Sequence, residues 1–177
     1  MNERLTVNEN SSHLLVFDCR LRCALMTAHD DRWAIHDLLA RYCDRLDAYD
    51  IDAVAECFTI DAHTDYGPGR GGPVVGRTAI AERIRNGQAA FRRTHHQLGQ
   101  QTVTVNGSRA TGLSAMLTWH ERWNGDRDLL ALRYSDEFTR IDGTWFISRR
   151  RVDISMVDGF PGTEWYWWPR QVPEGRS

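Results

Sequence analysis

The apolar positions of the chain change period once, and that change divides the fold. Over residues 31–49, Ile35, Leu38, Leu39, Tyr42, Cys43, Leu46 and Tyr49 recur at spacings of three and four. Such spacing places them on one stripe of an amphipathic helix. Asp30 or Asp31 can cap it, because a short carboxylate accepts from the free amides of a first turn. Arg32, His36, Asp37, Arg41, Asp44 and Arg45 fall largely outside the stripe, so His36 is expected to be exposed. Tyr42 lies within the stripe. Asp47 lies roughly 100° from its centre, which puts a carboxylate on the rim of the buried face.

A short second helix is expected over residues 50–58, capped by Asp50 or Asp52 and packed through Val54, Cys57 and Phe58. Residues 59–66 read as a short strand. Gly-Pro-Gly-Arg-Gly-Gly-Pro, 67–73, is a loop by composition, and it lacks the lysine-serine end of a phosphate-binding loop. A third helix is expected over 78–92, with Thr78 as cap and Ile80, Ile84 and Phe91 as its stripe. Gly87 weakens its second half by about 1 kcal/mol relative to alanine. Beyond His95 the pattern turns to strands. Asn106-Gly107, Asn124-Gly125 and Asp142-Gly143 are hairpin signals. They separate strands expected near 98–105, 109–122, 128–141 and 144–154 and so define an antiparallel meander. Long strands laid against a helix must bend. The expected class is α+β, with a curved antiparallel sheet wrapped over N-terminal helices.

Composition narrows the class of protein. The chain has 177 residues, 41% hydrophobic and 26% charged, which suits one domain with a proper core. A formal net charge of -2, with no basic block longer than Arg149–Arg151, gives no sign of a nucleic-acid partner. No apolar run approaches the roughly 18 residues needed to span a membrane. Four cysteines (Cys19, Cys23, Cys43 and Cys57) are too few for a disulfide scaffold, and a reducing, cytoplasmic compartment is expected.

Residues 1–29 show no clear period and no secretory signal, and are expected to be a poorly ordered extension, with Met26 as a possible natural start. Cys19 and Cys23 have no second pair, so no zinc site is expected. The folded domain is expected over 30–155. The tail, 156–177, carries three tryptophans and a tyrosine between Thr163 and Pro169. Aromatics at that density imply burial, as a pocket lid or in a subunit interface.

Three segments in this order carry a resemblance. They are Ala-Ile-His-Asp-Leu-Leu-Ala-Arg-Tyr-Cys-Asp-Arg-Leu-Asp at 34–47, Arg-Thr-His-His-Gln-Leu-Gly at 93–99, and Asp-Gly-Thr-Trp at 142–145. With the meander they resemble the SnoaL-like group of the nuclear transport factor 2-like fold over roughly residues 30–155. That group includes scytalone dehydratase, bile acid 7α-dehydratase, hexachlorocyclohexane dehydrochlorinase, polyketide cyclases and ketosteroid-isomerase relatives. It also has members without known activity, so the fold names no reaction. The resemblance implies a cone with an internal pocket and an aspartate–histidine pair. The aspartate falls on Asp47 and the histidine on His96, with His95, one register away, as the alternative. Two tyrosines fall near Tyr42 and Tyr66, and an arginine of the last strand falls on Arg149. The second histidine and the asparagine of scytalone dehydratase have no clean counterpart, although His120, on an expected strand, could serve.

An imidazole oriented by a buried carboxylate can take a proton at neutral pH, while a phenol hydrogen-bonds to developing negative charge. The resemblance therefore implies a lyase or isomerase, dehydratase-like, that needs neither cofactor nor metal. Its substrate would be a small hydrophobic molecule, and the chain would be a homo-oligomer, dimer or trimer. Asp61, His63 and Asp65 share one strand face. If Tyr66 faces the pocket they face away, so no metal is expected there. The alternative is a non-catalytic binder or structural member of the same fold, such as an oxygenase small subunit.

Overall fold

The computed structural model describes residues 29–171. Helix α1 covers 29–47, followed by α2 (Ile51–Ala55), β1 (Phe58–Asp65), a 3-10 turn (Pro68–Arg70), β2 (Pro73–Val75) and α3 (Arg77–Gln88). Four long strands complete it: β3 (Phe91–Asn106), β4 (Arg109–Arg122), β5 (Arg127–Ile141) and β6 (Thr144–Asp158). They form one six-stranded sheet in the order β2-β1-β6-β5-β4-β3, curved and unclosed, with the helices on its concave side. The fold is α+β, as expected. Residues 1–28, including Met26, Cys19 and Cys23, lie outside the described residues.

The stripe of α1 is the floor of the core. Ile35, Leu38, Leu39, Tyr42, Cys43 and Leu46 are all buried. Tyr49 is not, since the helix closes at residue 47 and Tyr49 takes a left-handed φ of 57° that turns the chain. Asp31 does not cap the helix. It sits within it and accepts from Arg140 Nη1 (2.7 Å) and Trp145 Nε1 (2.9 Å), which ties α1 to the β5–β6 hairpin. Asp50 caps α2 by accepting from Ala53 N. Phe58 begins β1 rather than ending α2. Helix α3 is capped at Gly76 without a side-chain hydrogen bond, two residues before Thr78, the expected cap, and Phe91 belongs to β3.

All three hairpin signals turn the chain where expected. At the last of them Asp142 and Gly143 have φ of 48° and 82°, as a two-residue hairpin of right-twisted strands requires. Curvature comes from residues that break the ladder. Gly99 and Gln100 together face Ala115, and Ser148 is an extra residue between the pairs Phe138–Ile147 and Glu137–Arg149. Such bulges bend a strand and shift its alternation by one. The sheet also contains a pairing the meander did not foretell: β1 lies parallel to β6 and carries β2 on its free edge. Beyond Asp65, where β1 ends, the tail takes over beside β6. Ile154 N donates to Tyr166 O (2.7 Å) and Trp168 N to Ile154 O (2.8 Å). No helix of the described residues is long and apolar enough to cross a membrane.

Candidate active site

Asp47 is the last residue of α1, and the adjacent strand β3 presents Thr94 and His96 to it. Alternation along β3 sends Thr94, His96 and Leu98 inward and His95 outward. Asp47 Oδ1 accepts from Thr94 Oγ1 at 2.7 Å and lies 2.6 Å from His96 Nδ1. Asp47 Oδ2 accepts from the main-chain N of His96 at 2.8 Å. Burial pushes the Asp47 carboxyl up, but the hydrogen bonds from His96 and Thr94 and the charge of the imidazole outweigh it, and the net shift is downward. An ionised Asp47 keeps the proton on His96 Nδ1 and leaves the lone pair on Nε2. His96 is buried and lines a cavity of about 450 Å³. His95 is 69% exposed, with its ring nitrogen 3.8 Å from Asp47. Parity thus separates the two histidines.

Cross-strand pairing places a second imidazole beside the first. Thr118 of β4 is the direct partner of His96 and His120 that of Thr94. The His96 and His120 ring centroids are 5.5 Å apart. His120 stacks on Phe91 at 4.3 Å, and its Nδ1 has no partner. Burial, then the charges of His96 and Arg70, lower its pKa to about 3. A neutral imidazole and the unpartnered hydroxyl of Thr118 therefore face the same cavity as His96.

Tyr42 and Tyr66 also line the cavity, their hydroxyls 3.4 Å apart. Burial, with the neighbouring Tyr66 and Tyr134, holds Tyr42 well above the ordinary phenol range, so it remains a hydrogen-bond donor. Asp61 and His63 are exposed on the opposite face of β1. Among the described residues no group of three or more His, Cys, Asp or Glu side chains could hold a metal ion.

Arg149 is not in the cavity. It is 59% exposed, 3.7 Å from Glu137 on the outer face. The extra residue Ser148 shifts the alternation, so Arg150 turns inward instead. Arg150 is fully buried. Its guanidinium lies 4.4 Å from the Tyr42 ring centroid and 3.8 Å from that of Tyr134, and it donates twice to Asp136, at 2.8 Å each. It supports the tyrosines from behind rather than lining the cavity. No role was expected of Thr94, Tyr134, Arg70 or Arg83, whereas Trp165 belongs to the aromatic tail expected to line or close a pocket or to lie in a subunit interface, and it lines the cavity. Thr94 alone carried a usable signal, being two residues before His96 on the same strand face.

A curved, unclosed sheet with helices packed on it around a cavity defines the nuclear transport factor 2-like class; here His96, held by Asp47 from behind, lines that cavity. Within it the chain belongs to the SnoaL-like domain family, whose model matches residues 27–151. No curated protein matches the sequence significantly. Among solved structures, a candidate scytalone dehydratase from Novosphingobium aromaticivorans superposes with a TM-score of 0.78 at 22% identity, covering 84% of this chain and 99% of that one. A candidate aromatic ring hydroxylase from the same organism is 32% identical over 73% of this chain and 93% of its own, with a TM-score of 0.69. A hexachlorocyclohexane dehydrochlorinase from Novosphingobium barchaimii has a TM-score of 0.66 at 19% identity, covering 80% and 96%.

Proposed function

We propose that this protein is a cofactor-independent lyase or isomerase that abstracts a proton from an activated carbon of a small, largely apolar molecule. The observation that carries the proposal is the 2.6 Å contact of Asp47 with Nδ1 of His96, whose ring lines the cavity. In the proposed step the C–H electron pair moves toward an adjacent carbonyl or toward a β leaving group, and the proton goes to His96 Nε2. Asp47 stabilises the imidazolium that forms. Tyr42 and Tyr66 donate to the developing oxyanion or the departing hydroxyl. Expulsion of water or halide would complete an elimination, and return of the proton at another carbon an isomerisation. The dehydratase- and dehydrochlorinase-type relatives show the same fold and support this class of chemistry. Arg149 has no part in it, and Arg150 acts only through the tyrosines it touches.

The test is hydrogen–deuterium exchange at carbon. The full chain is incubated in D2O with a panel of cyclic hydroxy-ketones and halogenated alicyclic compounds, and exchange or elimination is followed by NMR. His96→Ala and Asp47→Asn should slow the reaction by about 10²–10⁴-fold, as loss of a general base does. Turnover that survives in His96→Ala would end the proposal. Compounds that bind in the cavity without exchange would favour a non-catalytic binder of the same fold.

A further inference from the structure

The cavity has a charge pattern that proton abstraction does not use. Its wall includes two guanidinium groups, Arg70 from the turn after β1 and Arg83 from α3, and no Asp or Glu among the described residues that line it. Neither arginine lies within ion-pair distance of a carboxylate among the described residues. Arg70 is held by faces rather than charges, with its Cζ 5.1 Å from the Phe160 ring centroid and 5.7 Å from that of Trp165. Arg83 Nη1 donates to Gly72 O at 2.5 Å, and its Cζ lies 5.2 Å from the Tyr66 ring centroid. Its Nη2 is buried without a partner.

An unpaired buried charged donor is costly, and a carboxylate is the group whose geometry matches it. Burial pulls both guanidinium groups below their ordinary range; the charge of Arg83 adds to this at Arg70, while the more distant Asp128 and Asp65 offset it only in part at Arg70 and Arg83. Leu130, Leu132, Val152, Ile154 and Trp165 give the cavity an apolar side, and its other polar groups, such as Thr118, Asn86 and Gln88, are uncharged.

We infer that Arg70 and Arg83 form an anion-binding subsite, so that the cavity's ligand is an apolar ring compound bearing a carboxylate. The inference takes from the proton-transfer proposal only the use to which binding is put; the binding itself does not depend on the Asp47–His96 pair. A carboxylate held by the arginines would orient the apolar body toward His96 and His120.

The test is calorimetric titration of the full chain at low ionic strength and neutral pH with two probes of the same shape, naphthalene-2-carboxylate and naphthalene-2-carboxamide. The carboxylate should bind about tenfold or more tighter, the effect of one or two charge-assisted hydrogen bonds. The preference should vanish in the double variant Arg70→Gln/Arg83→Gln and persist in part in Arg70→Lys/Arg83→Lys, with carboxamide affinity little changed in both. Arginines that only brace the turn and the tail would alter stability and leave the ratio of the two affinities alone. Equal affinities in the wild type, no binding of the carboxylate, or a preference that survives in the glutamine variant would each overturn the inference. The wild-type comparison stands even if a variant does not fold. In Asp47→Asn the preference should remain, so a protein that prefers the carboxylate yet never exchanges a substrate proton would sink the catalytic proposal alone.

Discussion

Asp47 and His120 report the electrostatics of the site on the same acid arm of the pH curve, in successive windows. His120 has its pKa lowered from 6.5 to about 3. The unfolded chain therefore binds a proton that the folded chain refuses between those values. Stability contributed by the neutral ring is full above pH 6.5 and declines as pH falls toward 3, by at most about 1.4 kcal/mol per pH unit. Urea unfolding of His120→Gln should show a flatter slope across that window than the wild type. Asp47 is depressed from 3.8, so its contribution is present above that value and is lost only as pH falls through the lower folded value. Asp47→Asn should thus leave the slope above pH 4 unchanged and soften the loss below it. The place of Asp47 on the rim of the buried face was legible because the helix period fixes it, while a histidine partner was implied only by the family resemblance. The choice between His95 and His96 was not legible, since adjacent strand residues face opposite sides and nothing local says which side is the core.

At the scale of elements, the β5–β6 pair carries the least redundant interaction. Asp136 and Arg150 are direct cross-strand partners, both buried, with Tyr42 and Tyr134 against the guanidinium. Arg150→Met should cost about 3–5 kcal/mol, because it leaves an uncompensated buried carboxylate. Adding Asp136→Leu should restore much of that loss, and a double-mutant cycle by denaturant unfolding measures the coupling. Single additive losses would show that Asp136 finds other donors. The arginine was misplaced by one position in the sequence reading for a physical reason. Strict alternation from Trp145 and Ile147 points to Arg149, and only the insertion of Ser148 into the ladder turns Arg150 inward. A serine carries no local mark of a bulge.

For the molecule as a whole, the tail completes the enclosure. Phe160 is buried against Phe91 and His120, Trp165 lines the cavity, and Gly69 N donates to Glu164 O at 3.0 Å. A Cβ at Gly69 would stand 2.6 Å from the Glu164 main chain. Gly69→Ala should therefore loosen the turn from the tail and cost about 1–3 kcal/mol in thermal or urea unfolding. Removal of residues 159–177 should both lower stability and weaken naphthalene-2-carboxylate binding by about tenfold or more. A truncated protein that binds as well as the whole would show that the tail is packing, not lid. The homo-oligomer expected from the family resemblance remains a proposal; sedimentation of the full chain tests it.

Local rules were enough to determine that α1 is amphipathic, that three Asn-Gly or Asp-Gly turns join four long strands, and that a carboxylate lies on the rim of the helix. Periodicity and turn chemistry act over a few residues and are written in the chain itself. Tertiary structure alone decided that β1 pairs in parallel with β6, that Ser148 redirects an arginine, and that Arg70, Arg83 and Trp165 meet around one cavity. Those outcomes depend on contacts between residues up to about a hundred positions apart, as with Arg70 and Trp165. They are set by which surfaces must be buried together, and no stretch of the sequence shorter than the domain contains that condition.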